Sequence, residues 1–272
     1  MRILAIGDFH GKVPTILKRF VKINNIDLIV GTGDYTPFSL RKEFFKYGYS
    51  GDFELWRAIG KKKVKEGTLK DLKQEEAVIK KLNGLSVKTI SITGNTDYTK
   101  WGDAYDSKKP EWRWPIQDFF SKFVKKYNNI KVIDYSFARF GDFVFIGIAN
   151  STFPGIVKSK NYRIYRKKLD KLFKRFEKEK VILVSHNMPY GKLDKIESVD
   201  FDKRLKREHY GSKLARRLIE RYHPILFIGG HMHENQGKVK IGKTIVVNPG
   251  YGREGEAAVI TMPEKRVKFV KI

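Results

Sequence analysis

The chain has 272 residues, no cysteine, and 56 Lys and Arg against 30 Asp and Glu, a formal net charge of +26. The missing cysteines exclude disulfides, thiolate nucleophiles and zinc–thiolate sites, so any metal must be held by His, Asp, Glu or Asn. No apolar run approaches a membrane span, and no basic, apolar and small-residue leader opens the chain, so the expectation is a cytoplasmic protein with no membrane partner. The basic excess reads in two ways: a positive field for a polyanion or phosphate-bearing partner, or the Lys-rich surface of a heat-adapted protein. The second accounts for many lysines but not for the shortage of acids.

In chain order, Arg2-Ile3-Leu4-Ala5-Ile6 reads as a buried strand running into Gly7-Asp8-Phe9-His10-Gly11. Asp8 and His10 alternate, so both side chains should leave the strand end on one side; alone, Asp8 reads equally well as a helix cap. Residues 12–25 follow as a helix with Val13, Ile16, Leu17, Phe20 and Val21 on its apolar face. Asp27–Val30 is a second buried strand, entering Gly31-Thr32-Gly33-Asp34. Strand, helix, strand implies a parallel pair with a right-handed crossover, which brings Asp34 to the sheet edge that carries Asp8 and His10.

Residues 36–82 exceed an ordinary connection. They hold an aromatic group (Phe44, Phe45, Tyr47, Tyr49), read as packing rather than base stacking, and a helix at 68–82 burying Leu69, Leu72, Val78, Ile79 and Leu82. Lys88–Thr93 is a third strand ending in Gly94-Asn95-Thr96-Asp97. Residues 98–118, with Trp101, Trp112 and Trp114, read as an inserted loop near that edge, either a packed flap or a wall of the substrate site. A helix at 116–127 leads to strands near 130–135 and 143–149, expected to be antiparallel with Gly141-Asp142 as a hairpin turn between them.

Residues 158–180 carry eleven Lys and Arg against three acids around the stripe Leu169, Leu172, Phe173 and Phe176, a helix with one solvated basic face. Val181–Ser185 runs as a strand into His186, with a turn at 188–191. A second basic stretch spans 203–221, flanked by His209 and His223, both read as surface or packing residues. Ile225–Ile228 runs into Gly229-Gly230-His231-Met232-His233, and strands at 237–241, 244–247, 257–261 and 267–272 complete the chain. No repeat, linker or second domain boundary is visible, so one domain over 1–272 is expected, with insertions at about 36–82 and 98–118.

Seven polar residues thus stand at successive strand ends: Asp8, His10, Asp34, Asn95, His186, His231 and His233, including four of the six histidines. Each alone fits a cap, a turn or a buried polar pair. Parallel strands deliver their C-terminal ends to one edge, and seven mixed N/O donors suit two ions rather than one. Such a pair generates a hydroxide from bound water and clamps a phosphoryl group. No Gly-x-Ser-x-Gly and no Walker loop occur.

This pattern resembles the calcineurin-like metallophosphoesterase family. The motifs Gly7-Asp8-Phe9-His10-Gly11, Gly33-Asp34, Gly94-Asn95, Ser185-His186 and Gly230-His231-Met232-His233 run in the family's order over nearly the whole chain. The stretch 186–194 and Asn248-Pro249-Gly250 look like its small single-domain prokaryotic branch. The resemblance implies an α/β fold, a four-layer αββα sandwich with two mixed β-sheets. It implies one ion on Asp8, His10, Asp34 and His233 and another on Asp34, Asn95, His186 and His231, with Asp34 as the bridge. The ions would be divalent transition metals, manganese first and iron, nickel, cobalt or zinc next.

Many members have His after Gly-Asn to contact substrate and assist the leaving group; here that position is Thr96, a poor general acid near neutral pH. Asp97 keeps the family's acidic residue without the His it would orient. Asn95, Thr96 and Asp97 are therefore the expected catalytic residues, with Asn95 and Thr96 touching substrate. The expected function is a metal-dependent phosphodiesterase, favoured over a monoesterase, using a metal-bridging hydroxide on a nucleotide or nucleic-acid substrate. The alternative is a non-catalytic metal-dependent scaffold or nucleic-acid-binding module on the same fold.

Overall fold

The structure is a computed structural model that describes residues 1–48, 54–100, 111–150, 157, 159–196 and 208–272. Trp101, Tyr49 and the start of the second basic stretch lie outside the described residues, as do 101–110 of the 98–118 insertion. The strands are β1 (Arg2–Ile6), β2 (Leu28–Gly31), β3 (Lys88–Ser91), β4 (Ile130–Val132), β5 (Phe137–Phe140) and β6 (Phe143–Ile148). They continue with β7 (Lys180–Asn187), β8 (Leu226–Gly230), β9 (Gly237–Ile241), β10 (Thr244–Asn248), β11 (Glu256–Thr261) and β12 (Arg266–Lys271). The α-helices are α1 (Leu17–Ile23), α2 (Arg41–Glu43), α3 (Leu55–Ile59), α4 (Lys61–Asn83), α5 (Phe119–Val124), α6 (Lys160–Arg175) and α7 (Lys213–Tyr222).

The strands form two six-stranded mixed sheets, ordered β12-β11-β1-β2-β3-β4 and β5-β6-β7-β8-β10-β9. β1 to β4 are mutually parallel, as are β6, β7, β8 and β10, and antiparallel strands flank both runs. Residue alternation assigns the layers. Ile3, Ala5, Leu28 and Val30 pack between the sheets against Phe145, Ile182, Val184 and Ile228. Their neighbours Leu4, Ile6 and Ile29 face outward onto Leu17, Val21, Val78, Ile79 and Phe120 from α1, α4 and α5. On the far side Val144, Ile146, Leu183 and Phe227 meet Leu169 and Phe173 of α6 and Leu214 and Leu218 of α7. The central strands are covered on both faces, which is why they are continuously apolar rather than alternating. The order helix, sheet, sheet, helix is the expected αββα sandwich.

Several local expectations are corrected. The helix expected over 12–25 is α1 alone, because Pro14 and the turn bonds Lys12 N–H to Phe9 and Leu17 N–H to Pro14 occupy its first turn. Ile16 therefore points outward at 51% exposure. The helix expected at 68–82 begins earlier, at Lys61. Gly67 does not break it; a Cβ there would lie 2.8 Å from Leu40, so the glycine serves close approach. Leu69, assigned to the buried face, is exposed, and the face instead holds Asp71 and Glu75. The hairpin around Gly141-Asp142 exists, but its first strand is β5; the expected strand at 130–135 is β4, which joins the other sheet parallel to β3.

Among the described residues no helix is long and apolar enough to cross a membrane. Of the 98–118 insertion, Trp112 and Trp114 stack their rings at 5.9 Å, with Trp56 edge-on to Trp112 and Phe119 against Trp114. Lys61 lies over Trp56 and Lys65 over Trp114.

Glu75 gives this layer a pH signature. Its Oε1 lies 2.6 Å from Thr36 Oγ1, which is 3.0 Å from Asp97 Oδ1. A hydroxyl has one hydrogen, so between two carboxylates one acid must keep its proton. Burial, with the Asp97 charge beside it, pushes the Glu75 carboxyl well above its ordinary range. The folded state then holds a proton the unfolded state gives up, so stability falls as pH rises above the ordinary Glu value. Glu75→Gln should flatten the decline of Tm as pH rises above the ordinary Glu value and raise Tm at the alkaline end; an unchanged slope in thermal melts would sink the assignment.

Candidate metal centre

The C-terminal ends of β1, β2 and β3 from one sheet and of β7 and β8 from the other meet at one end of the sandwich, rather than along the single sheet edge expected. Backbone bonds continue the β1–β2 pairing beyond the strands. Asp8 N–H donates to Gly33 (2.8 Å), His10 N–H to Asp34 (2.9 Å) and Gly11 N–H to Tyr35 (2.9 Å). These bonds carry the pairing of β1 and β2 into the loops and set Asp8 and His10 beside Asp34. The side chains do not converge by simple strand alternation. Asp8 (φ 53°), His10 (41°), Asp34 (54°) and His231 (69°) all adopt left-handed backbone. For non-glycine residues this is uncommon and costs of order 1 kcal/mol or more, a strain that collects at functional sites. Close approach demands glycine opposite: a Cβ on Gly94 would lie 2.1 Å from Asp34 Oδ1.

Two clusters of possible metal-ligating atoms result, one from Asp8, His10 and His233, the other from Asp34, His186 and His231. In the first, His233 Nε2 is 3.1 Å from Asp8 Oδ1 and 3.4 Å from His10 Nε2. In the second, His186 Nε2 lies 3.1 Å from His231 Nδ1 and 2.8 Å from Asn95 Oδ1. Asp34 faces both: Oδ2 is 3.6 Å from His10 Nε2 and Oδ1 is 3.4 Å from His186 Nε2. All seven expected residues are thus brought together. Asp8, Asp34 and His186 form a sealed floor, while His10, His231 and His233 are partly exposed and Asn95 is exposed.

Two histidine tautomers are dictated by carbonyls. His186 Nδ1 is 2.8 Å from the Thr32 carbonyl and His10 Nδ1 is 3.2 Å from the Thr36 carbonyl. A carbonyl only accepts, so each Nδ1 carries hydrogen and Nε2 is the atom turned to the cluster. His186 Nε2 then meets Asn95 Oδ1 and Asp34 Oδ1, a set of acceptors that only a proton or a cation can join. Burial alone would lower His186, but Asp34 and Asp8 outweigh it and raise it. Burial opposes ionisation of Asp8 as well, yet the His233 hydrogen bond and the surrounding histidine charges hold it at about 2. Burial and the neighbouring His186 charge hold His231 down at about 3, neutral and ready to ligate. A mixed N/O donor set without thiolate fits two borderline divalent ions.

Thr96 and Asp97 turn elsewhere. The Thr96 hydroxyl donates to the Thr36 carbonyl (2.9 Å), and its N–H donates to Asp34 Oδ1 (2.9 Å). Asp97 accepts the N–H groups of Asp34 (3.0 Å), Tyr35 (2.7 Å), Thr36 (3.0 Å) and Gly94 (2.8 Å). Its geometry is that of a residue that shapes the loops rather than one that reaches substrate. Of the remaining histidines, His209 Nδ1 bonds the buried Asp194 (2.7 Å) and His223 closes α7 in left-handed backbone. The sequence reading missed Thr32 and Thr36, which act through carbonyls that no residue type advertises, and Tyr251, stacked on His233 just after the Asn248-Pro249-Gly250 turn. Asp97→Asn would set amide hydrogens against backbone donors, so it should cost about 3 kcal/mol in denaturant unfolding and weaken metal binding together. Wild-type stability in the variant would refute that role.

Comparison with known proteins agrees with this geometry. A family model described as metallophosphoesterase, calcineurin superfamily, matches residues 1–272. Uncharacterized protein MJ1162 of Methanocaldococcus jannaschii is 30% identical over 254 residues, covering 92% of this chain and 88% of the relative. One crystal structure superposes with a TM-score of 0.72 at 20% identity, over 99% of this chain and 98% of its own. TT1561 of Thermus thermophilus superposes at 0.63 and 14% identity, over 99% and 98%. A dimetal phosphatase of Danio rerio superposes at 0.55 and 11%, over 99% and 95%. Identities this low speak for the fold alone; the family rests on the model that matches the chain from end to end. On that match, this chain belongs to the calcineurin superfamily of metallophosphoesterases.

Proposed function

We propose that the chain is a phosphodiesterase that works with two divalent transition-metal ions, manganese first among them, on a nucleotide or nucleic-acid substrate. The observation that carries this reading is the Asp34 carboxylate, whose two oxygens face the two His/Asp clusters separately. In it, Asp8, His10, Asp34 and His233 hold one ion, and Asp34, Asn95, His186 and His231 the other. Ions bound there would supply an activated water and neutralise charge developing on the phosphoryl group.

The chain's own residues do the rest. Asp8, Asp34 and His186 fix the floor, and the Thr32 and Thr36 carbonyls hold two imidazoles in the ligating tautomer. Asn95, exposed and 2.8 Å from His186 Nε2 through its Oδ1, would touch a phosphoryl oxygen as well as an ion. Thr96, its hydroxyl engaged by Thr36, contributes position rather than a proton. The net charge of +26 favours a polyanionic or nucleotide substrate, and Arg163, Lys167, Lys171 and Lys174 of α6 all face solvent.

Elemental analysis should find about two ions per chain, and reloading with Mn²⁺ should give hydrolysis of bis(p-nitrophenyl) phosphate exceeding that of the monoester. Asp34→Asn and His186→Ala should each lose at least about a hundredfold in turnover. Unchanged turnover in both purified variants would end the reading. Thr96→Ala should cost about 1 kcal/mol in stability and keep diester turnover within about threefold; a far larger loss would return Thr96 to the chemistry.

A further inference from the structure

The rim of the metal centre carries a phenol and a guanidinium that neither cluster uses. The turn after β10 is tied down at every step. Asn248 Oδ1 accepts Gly250 N–H (3.0 Å), and Asn248 Nδ2 donates to the Met232 carbonyl (2.8 Å). Gln236 Nε2 donates to the Pro249 carbonyl (2.8 Å), and Glu256 Oε2 accepts Tyr251 N–H (2.8 Å). The next two residues are stitched to the first metal loop: Gly252 N–H donates to Gly7 (3.0 Å) and Arg253 N–H to Asp8 (3.1 Å). A Cβ on Gly252 would lie 2.2 Å from the Gly7 carbonyl oxygen, so the two backbones approach only through glycine. The turn is a rigid mount, as a functional group needs.

That mount presents two side chains. The Tyr251 ring stacks on His233 with centroids 4.1 Å apart and an interplanar angle of 9°, and meets the His10 ring edge-on at 5.9 Å. Tyr251 is half-buried, and among the described residues no hydrogen bond engages its phenol oxygen. The charges of Arg253, Asp8, Glu254 and Arg41 all reach that phenol. Arg253 Nη1 donates to the His10 carbonyl, and its other guanidinium donors bond no described residue. With the Thr96 hydroxyl engaged by Thr36, Tyr251 brings an uncommitted O–H to the edge of the first cluster.

We propose that Tyr251 and Arg253 are substrate-contacting residues of this site, the phenol donating a hydrogen bond to the leaving oxygen and the guanidinium to a non-bridging phosphoryl oxygen. This rests on the phosphoesterase reading above. In the hydrolysis, the water oxygen forms the new P–O bond, and the bond to the leaving group breaks with its electron pair on the leaving oxygen. The proton given up by the water returns to that oxygen through solvent. Tyr251 keeps its own proton and shares it with the oxygen as charge builds, a donor aimed where charge develops. A guanidinium matches a phosphoryl group in geometry and charge.

Tyr251→Phe keeps the ring on His233 and removes only the O–H. Against a series of methyl aryl phosphate diesters graded by acidity of the leaving phenol, the variant should bind two ions as the wild type does. It should lose roughly tenfold or more in kcat on the poorest leaving groups and less than about twofold on the best. A uniform loss across the series, or loss of metal, would mean that the ring merely supports His233 and would overturn the proposal, as would an unchanged series. Wild-type turnover tests the underlying reading separately. Should the wild type turn over none of the diesters, titration calorimetry of the metal-loaded protein with inorganic phosphate still decides. Tyr251→Phe and Arg253→Gln should each weaken phosphate binding roughly tenfold, and wild-type affinity in both would overturn the assignment.

Discussion

The metal centre depends on one buried carboxylate that stands outside both clusters. Asp97 gathers the N–H groups of Asp34, Tyr35 and Thr36 from the loop after β2 and that of Gly94 from the loop after β3. Four donors converging on one carboxylate offset part of the cost of burying it, and they converge because the two loops meet there. Burial and the neighbouring Asp34 charge still push its pKa up to about 6. With that knot closed, the Thr36 carbonyl faces His10 and Thr96, and Thr96 N–H reaches Asp34. Imidazole orientation in the first cluster and loop placement at the second are thus consequences of a single electrostatic contact.

The floor of the site is organised against its own comfort. Four of the seven clustered residues sit in left-handed backbone, and two aspartates lie fully enclosed among imidazoles. Such a group of acceptors with opposed lone pairs is poorly satisfied by protons and well satisfied by divalent cations. Folding energy from three apolar layers holds the strain in place: the strands that deliver the residues are buried on both faces. The stiffness that makes the sandwich stable also presents its edge at fixed geometry.

Legibility in the sequence followed periodicity and range. The buried parallel strands were plain because apolar runs bounded by glycine have few other readings. The basic helix α6 was plain for the same reason, its stripe and its charges pointing one way. Strand β5 was not legible: Phe137–Phe140 is short and half-buried, and its identity as the hairpin partner of β6 depends on β4 leaving for the other sheet. Ile16 and Leu69 were placed inward by helical spacing, yet the start of α1 and the polar contacts of α4, Glu75 to Thr36 and Asp71 to Ser39, decide which face is buried.

What the sequence determined by itself was the set of strand-end residues, since residue type and position on a parallel strand are local facts. That the ends of β1–β3 and of β7 and β8, in separate sheets, meet was decided by the packing of the sandwich. It also determined that any metal would meet nitrogen and oxygen only. What tertiary structure alone decided was which atom of each residue faces the cluster and what sits at the rim. Backbone carbonyls of Thr32 and Thr36 choose the tautomers, Asp97 serves loops far from it in sequence, and Tyr251 reaches His233 across a turn stitched to Gly7 and Asp8. The carbonyl and N–H contacts join distant segments through main-chain groups that nearly every residue type carries, and the Tyr251–His233 stack depends on a turn held by such groups, so the sequence carries no mark of them.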